Sequence, residues 1–201
     1  MDLILARHAE SKNNVLPSER HGPDPELTEL GMRQAAALAR ALAAAAPDAV
    51  LCSPLLRSLE TARPAVAACG APWGVWADLA ETGRAHPGDG QPAAVLRARF
   101  PGAGFEPGMP WPGHPGVESP AEAAARAARV LGRLLAAFPS DARVAVIGHG
   151  GFNPYLVRAC LGAPQDGSVL IAQDNAAIHR LELLRGPGAV RLTRLNDRSH
   201  L

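Results

Sequence analysis

Short apolar runs alternate along the chain with longer segments in which apolar residues recur at helical spacing. Four of these runs lack alternating polarity, which is typical of strands buried on both faces of a parallel sheet. We therefore predict strands at Leu3–Ala6, Ala49–Cys52, Val75–Ala77 and Val144–Ile147. The alternation of such runs with helical segments predicts βαβ units.

Two later segments, Ala177–Leu184 and Val190–Leu195, are more polar and flank a turn-like sequence at residues 185–188. This pattern predicts antiparallel strands at one edge of the sheet. The fold class is therefore α/β, a three-layer α/β/α sandwich with a mostly parallel sheet, an antiparallel edge strand and a loop-rich cap insertion.

Four helix starts are predicted from capping residues: Thr28, Ser53-Pro54, Ser119-Pro120 and Asn153-Pro154. The helix after Thr28 extends to about Ala46. Ser119 and Glu122 have the spacing of a reciprocal capping box, and apolar residues follow at helical spacing. The helices thus begin shortly after predicted strands or loops.

The chain has 201 residues, a length that suits one α/β domain spanning 1–201. A stretch at about 83–118, rich in Gly, Pro and Trp, interrupts the alternation of strands and helices. We predict that this stretch forms the cap insertion, where a substrate would be selected.

Hydrophobic residues make up 47% of the chain and the formal net charge is +1. This balance argues against disorder and against a broad basic surface for nucleic acid. The charged pair Arg7-His8 comes too early for a signal peptide, and no apolar run approaches membrane-spanning length. We predict a cytoplasmic protein with neither nucleic acid nor membrane as partner, and the oligomeric state stays open.

The three cysteines are widely spaced, and we interpret them as small buried hydrophobic residues: Cys52, Cys69 and Cys160.

Basic residues follow three predicted strands. Arg7-His8 ends the first, Arg57 lies just after the second, and His149 follows the fourth within Gly148-His149-Gly150-Gly151. In open α/β sheets, ligands bind at the carboxyl ends of the strands. Two arginines and two histidines at one rim predict a site for a tetrahedral anion such as phosphate.

These residue types suit phosphoester chemistry. A neutral His8 with one free ring nitrogen can attack phosphorus, while Arg7, Arg57 and His149 stabilise charge on the oxygens. Glu81, just after the third predicted strand, is placed to give the leaving group a proton. Small residues such as Gly150 let backbone N–H groups approach the phosphate. We predict a metal-independent phosphomonoester hydrolase that forms a phosphohistidine, needs no cofactor and acts on a small phosphorylated substrate.

Five ordered segments also match a known family: Arg7-His8-Ala9-Glu10-Ser11 with Asn14, Leu27-Thr28-Glu29-Leu30-Gly31 with Gln34-Ala35, Ser53 to Ala62, Gly148-His149-Gly150, and residues 195–201. The chain resembles the histidine phosphatase superfamily, in its cofactor-dependent phosphoglycerate mutase-like branch, and its small phosphatases in particular. The resemblance implies that His8 is the nucleophile and that Arg7, Asn14 and Arg57 bind phosphate.

Two departures from the family pattern bear on function. Ala9 replaces the usual glycine, and the sequence after Glu81 differs from that of the mutases, which leaves Glu10, Asp78 and Glu118 as alternative acids. The cap offers only a few basic residues, against the several that mutases use for a second acidic group: Arg84, Arg97 and Arg99. A hydrolase is favoured, and a mutase-like phosphoryl transferase or a non-catalytic phosphate-binding module is the alternative.

The remaining histidines lack metal-ligand spacing and are predicted at the surface or in loops: His21, His86, His114, His179 and His200. Of these, His86 and His114 are candidates for substrate contact. The tryptophans are interpreted mainly as anchors of the core and cap: Trp73, Trp76 and Trp111. Arg97 and Arg99 are predicted to be solvated, with a spacing that suits a helix poorly.

Overall fold

The computed structural model describes residues 1–82, 90–109, 117–184 and 189–201. Within these ranges, seven strands form one sheet: β1 Asp2–Arg7, β2 Ala49–Cys52, β3 Trp73–Val75, β4 Gly104–Phe105, β5 Arg143–Gly148, β6 Ile178–Leu183 and β7 Val190–Asp197. Their order across the sheet is β4-β3-β2-β5-β1-β6-β7. The four strands predicted from apolar runs are all present, although β3 begins two residues before its predicted start.

The sheet is mixed, as predicted. β1, β2, β3, β4 and β5 are parallel to one another, whereas β6 is antiparallel to β1 and β7 is antiparallel to β6. The reversed strand is therefore β6, which lies one strand in from the edge. Because of this reversal, the N-terminal end of β6 lies at the same rim as the carboxyl ends of β1 and β5.

The described ranges contain six α-helices: α1 Lys12–Val15, α2 Glu29–Ala45, α3 Leu56–Cys69, α4 Ala93–Arg99, α5 Pro120–Ala137 and α6 Asn153–Leu161. Alternate residues of β1 face opposite sides of the sheet. Ile4 packs with residues of α2 and α3, while Leu3 and Leu5 pack with residues of α5 and α6. This arrangement confirms the predicted three-layer sandwich.

Two of the predicted caps are confirmed. Thr28 Oγ1 accepts the Gly31 N–H, and Ser119 and Glu122 form a reciprocal capping box at the start of α5. The prediction for Ser53 was wrong: its hydroxyl accepts the Leu55 N–H in a turn, and α3 begins at Leu56.

The predicted helix start at Asn153-Pro154 is confirmed, since α6 begins at Asn153, although Phe152 occupies the capping position. The Asn153 side chain instead donates to the Ala6 carbonyl at 3.1 Å and to Gln173 Oε1 at 2.8 Å. The side-chain amide of Asn153 therefore joins β1 to the loop before β6.

Part of the predicted cap has regular structure. α4 and β4 lie within it, and β4 extends the sheet beside β3, so the described part is less loop-rich than predicted. Arg97 and Arg99 lie on α4, against the prediction that their spacing disfavours a helix. Arg99 forms ion pairs with Glu26 and Glu60. Several residues with predicted roles lie outside the described ranges: Arg84, His86, Trp111, His114 and the turn at 185–188.

His179 is fully buried in β6, so its predicted surface position was wrong. It follows the alternation of the strand onto the buried face, where its Nδ1 accepts the Asn196 N–H at 3.0 Å. Cys52 and Cys160 are buried as predicted, whereas Cys69 is only partly buried. Trp73 packs in the core as expected. Nowhere in the described part of the chain is a helix long and apolar enough to cross a membrane.

Candidate active site

The order of the strands brings four predicted site residues to one rim. Arg7 at the end of β1 pairs in register with Gly148 at the end of β5, so His8 and His149 follow neighbouring strands. β2 lies on the other side of β5, and the turn after it leads into α3, where Arg57 is the second residue. Each side chain thus follows the carboxyl end of a central parallel strand.

The hydrogen bonds of His8 determine which ring nitrogen is free. His8 Nδ1 lies 2.7 Å from the Ala9 carbonyl oxygen, which accepts hydrogen bonds only, so Nδ1 carries the proton. In the neutral ring, Nε2 therefore holds the lone pair. Arg57 Nε donates to that nitrogen across 3.3 Å.

Burial keeps His8 neutral. The ring is 3% exposed, and desolvation by burial lowers its pKa well below the ordinary value of 6.5. The positive charges of Arg57 and Arg7 lower this pKa further. His149 is fully buried beside it, with ring centroids 5.2 Å apart and planes inclined by 56°. The site thus holds a neutral imidazole near the guanidinium groups of Arg57 and Arg7.

Arg7 is fixed by close packing and by the loop before β6. Its Nη1 donates to the Gln173 carbonyl at 2.9 Å. A Cβ added to Gly150 would lie 3.0 Å from Arg7 Nε, so this glycine makes room for the guanidinium. Burial lowers the pKa of Arg7, and the charges of Glu81 and Asp174 oppose that effect. Arginine remains a cation at any physiological pH.

Asn14 is tied to the segment that carries His8. Its Oδ1 accepts the Ser11 N–H at 2.9 Å and the Asn175 Nδ2 at 3.2 Å. Asn175 Nδ2 also donates to the His8 carbonyl at 3.1 Å. With its oxygen held in this way, Asn14 can offer its amide N–H groups to an anion.

Glu81 lies in the segment that follows β3, and its side chain reaches the residues just before α6. Its carboxylate accepts the N–H groups of Thr82 at 2.8 Å, Phe152 at 3.0 Å and Gly151 at 3.2 Å. Burial lowers the pKa of both Arg7 and Arg57, and the negative charge of Glu81 opposes that effect at each of them. Glu81 therefore belongs electrostatically to the same rim as the two arginines.

The three alternative acids are engaged in other contacts. Glu10 Oε1 accepts the Thr28 hydroxyl at 2.6 Å. Asp78 pairs with Arg133 at 2.9 Å. Glu118 is buried in an ion pair of two hydrogen bonds with an arginine of α5. Each is thus bound to the side chain of a residue in a helix or at its cap, whereas Glu81 is held by main-chain N–H groups.

Sequence analysis missed four residues that support the site. Asn175 and Gln173 hold the His8 and Arg7 segment from the loop before β6, and Thr61 Oγ1 accepts the Ala9 N–H at 3.1 Å. Asp24 is buried near Arg57, with its Oδ1 4.0 Å from Arg57 Nη1. The run of polar residues at 173–175 just before a strand was a usable signal, and so was the helical spacing of Thr61 from Arg57.

The described residues also bear on metal binding. Within 1–82, 90–109, 117–184 and 189–201, no three or more His, Cys, Asp or Glu side chains cluster in a way that could hold a metal ion. The charges facing His8 are the guanidinium groups of Arg7 and Arg57.

The fold and this rim define an α/β protein with two arginines and two histidines gathered at the carboxyl ends of its parallel strands. The profile of the Histidine phosphatase superfamily (branch 1) matches residues 3–198, and the chain belongs to this family. The family and the phosphatase class predicted from the sequence are confirmed.

Several named proteins are similar to this chain in sequence or in structure. The chain is 32% identical over 186 residues to the glucosyl-3-phosphoglycerate phosphatase of Mycolicibacterium vanbaalenii, covering 87% of this chain and 81% of the relative. The structure of a mycobacterial glucosyl-3-phosphoglycerate phosphatase with VO3 is similar at a TM-score of 0.70 and 30% identity, covering 97% and 98% of the two chains. A putative alpha-ribazole-5'-P phosphatase from Escherichia coli shares the fold at a TM-score of 0.73 and 24% identity, with 98% of each chain covered.

Proposed function

We propose that this protein hydrolyses the phosphomonoester of a small phosphorylated sugar acid of the glucosyl-3-phosphoglycerate class, through a phosphohistidine on His8. The observation that carries the mechanism is the fixed tautomer of His8, whose Nε2 holds a lone pair beside Arg57. The substrate class is supported by relatives named as glucosyl-3-phosphoglycerate phosphatases.

In the first step, His8 Nε2 attacks phosphorus and the bond from phosphorus to the ester oxygen breaks. Arg7 and Arg57 hold the phosphoryl oxygens, and His149 and the Asn14 amide add donors around them. Because burial already keeps His8 neutral, no base has to remove a proton from it. The oxygen of the leaving group takes a proton from the carboxyl of Glu81.

In the second step, water attacks the phosphohistidine. The water gives a proton to the Glu81 carboxylate, the N–P bond breaks, and its electron pair returns to Nε2 of His8. Inorganic phosphate leaves, and both residues regain their starting protonation. This cycle is balanced without a metal ion or a cofactor.

The test is release of inorganic phosphate from glucosyl-3-phosphoglycerate and from nitrophenyl phosphate in excess chelator. We expect release by the native chain and a loss of about 1,000-fold or more in His8→Ala, since a missing nucleophile removes the covalent route. His21→Ala is the matched control, because His21 is an exposed histidine whose ring contacts the Leu16 carbonyl.

Other outcomes contradict the proposal in distinct ways. Full activity in His8→Ala would exclude the histidine mechanism, and loss of activity in chelator would exclude metal independence. Isomer interconversion that outpaces phosphate release would indicate a mutase. Tight binding of phosphate esters without any turnover would indicate a binding module.

A further inference from the structure

Arg126 of α5 is buried, with 4% of its surface exposed, and lies outside the phosphate site. Its Nε and Nη2 donate to the two carboxylate oxygens of Glu118 at 2.9 and 2.5 Å. Its Nη1 donates to the main-chain carbonyls of Asp78 and Ala80, both at 2.8 Å. One guanidinium thus joins α5 to the segment that immediately precedes Glu81.

The same guanidinium also contacts Phe152, a residue that binds the side chain of Glu81. The Arg126 Cζ lies 3.9 Å from the centroid of the Phe152 ring, within the range of a cation–π interaction. The Phe152 N–H is one of the donors that hold the Glu81 carboxylate. Arg126 therefore fixes both the residue before Glu81 and a residue that binds its side chain.

We propose that Arg126, oriented by Glu118, is a positioning residue for the proton donor Glu81. This inference rests on the proposed function, because it assumes that Glu81 protonates the leaving group. Arg126 does not touch the reacting atoms. It determines where the carboxyl of Glu81 lies relative to the ester oxygen, and a carboxyl displaced by about 1 Å is a much weaker acid catalyst.

Neighbouring arginines on α5 make different contacts. Arg129 and Arg133 are more exposed and pair with the side chain of Asp78. Arg126 instead binds two main-chain carbonyls, so its contacts hold the backbone before Glu81 and not only a side chain. A planar guanidinium can bind two carbonyls and a carboxylate at once, which the single ammonium of lysine cannot reproduce.

The experiment compares two esters with leaving groups of different basicity. Nitrophenolate leaves without protonation, whereas an alkoxide such as that of glycerol phosphate needs a proton. For Glu81→Gln we expect kcat/KM to fall by about 100-fold on glycerol phosphate but only a few-fold on nitrophenyl phosphate. For Arg126→Gln we expect the same selectivity, with a loss of about tenfold or more on glycerol phosphate only.

Three further variants complete the set. Arg129→Gln is the matched control on the same helix and should leave both rates unchanged. The Glu81→Gln, Arg126→Gln double variant should be no slower on glycerol phosphate than Glu81→Gln alone. Once Glu81 is replaced, Arg126 has no proton donor left to position. If thermal melting shows that Arg126→Gln does not fold, Arg126→Lys and Glu118→Gln should show the same selectivity in a milder form.

Equal losses on both esters in the folded Arg126 or Glu118 variants would overturn the proposal, because they would indicate a structural role only. If Glu81→Gln itself lost activity equally on both esters, the acid assignment in the proposed function would fail, and the role of Arg126 would fall with it. The two failures are distinguished by the behaviour of Glu81→Gln.

Discussion

Arg57 donates its Nε–H to His8 Nε2 across 3.3 Å, so the guanidinium lies directly beside the nitrogen that would attack phosphorus. In the proposed mechanism, the remaining N–H groups of Arg57 are available to the oxygens of the phosphoryl group. Burial keeps the His8 ring neutral and the charge of Arg57 lowers its pKa further, and in the proposed mechanism the same guanidinium faces the charge that develops during the attack.

This arrangement predicts a pH effect for Arg57→Gln. Burial lowers the pKa of His8 first of all, and the charge of Arg57 lowers it further, so removing that charge should raise the pKa. The acidic limb of kcat/KM for nitrophenyl phosphate should move to higher pH in the variant, along with a drop in rate of about 100-fold. Arg63→Gln, an exposed arginine of α3, is the control. An unchanged limb would show that Arg57 does not tune His8.

Gly150→Ala should weaken phosphate binding. The added Cβ would meet Arg7 Nε at 3.0 Å and Cζ at 3.1 Å, which pushes the guanidinium from its position. We expect a rise in KM of about tenfold with little loss of stability, measured by steady-state kinetics and thermal melting. Gly132→Ala in α5, where a Cβ would meet nothing within 4 Å, should leave KM unchanged and stabilise the helix by about 0.5–1 kcal/mol.

Gly31→Ala should destabilise the fold. The helical Gly31 lies so close to the Glu10 main chain that an added Cβ would overlap with the Glu10 carbonyl oxygen. Because that atom is backbone, α2 has to shift, and we expect a loss of about 2–3 kcal/mol in the free energy of unfolding. Urea titration is the measurement, and a midpoint equal to that of the native chain would contradict the close approach.

Asp24→Asn should change how stability depends on pH. Burial raises the pKa of Asp24 to about 6, although the Leu56 N–H and the charge of Arg57 act against burial. The folded-state pKa lies above the unfolded value of 3.8, so the contribution of Asp24 is fully present below about pH 4 and is lost as pH rises through 6. The native chain should lose about 3 kcal/mol relative to Asp24→Asn over that interval.

The measurement for Asp24 is urea unfolding of both chains at pH 4.5 and 7.5, between which about 2 kcal/mol of that loss should fall. Asp141→Asn, at an exposed carboxyl, is the control and should show no such difference. A difference of the opposite sign would mean that Arg57 stabilises the Asp24 carboxylate more than burial destabilises it.

The parts of the fold that the sequence predicts are those specified by neighbours along the chain. Thr28 and Ser119 cap helices through residues three positions away, and the apolar runs before His8 and His149 are strands. Because parallel strands end at one rim, the gathering of Arg7, His8, Arg57 and His149 there follows from local pattern and topology.

The features that the sequence does not predict depend on contacts between segments that are distant along the chain. Asn175 reaches the His8 carbonyl only because β6 runs against the other strands, and the antiparallel register that places it is not encoded near residue 175. Ser53 has the local pattern of a helix cap, but a turn with Leu55 takes its hydroxyl. The pairing of β4 with β3 is likewise a tertiary contact of a two-residue strand with little pattern of its own.

The bond from His8 Nδ1 to the Ala9 carbonyl would also fix the regiochemistry of the proposed covalent adduct. A phosphoryl group would be attached to the tele nitrogen of the imidazole and not to the pros nitrogen. The two isomers of phosphohistidine differ in their phosphorus chemical shift and in the antibodies that bind them. A main-chain oxygen, which no side-chain substitution removes, therefore selects which isomer a trapped intermediate would contain.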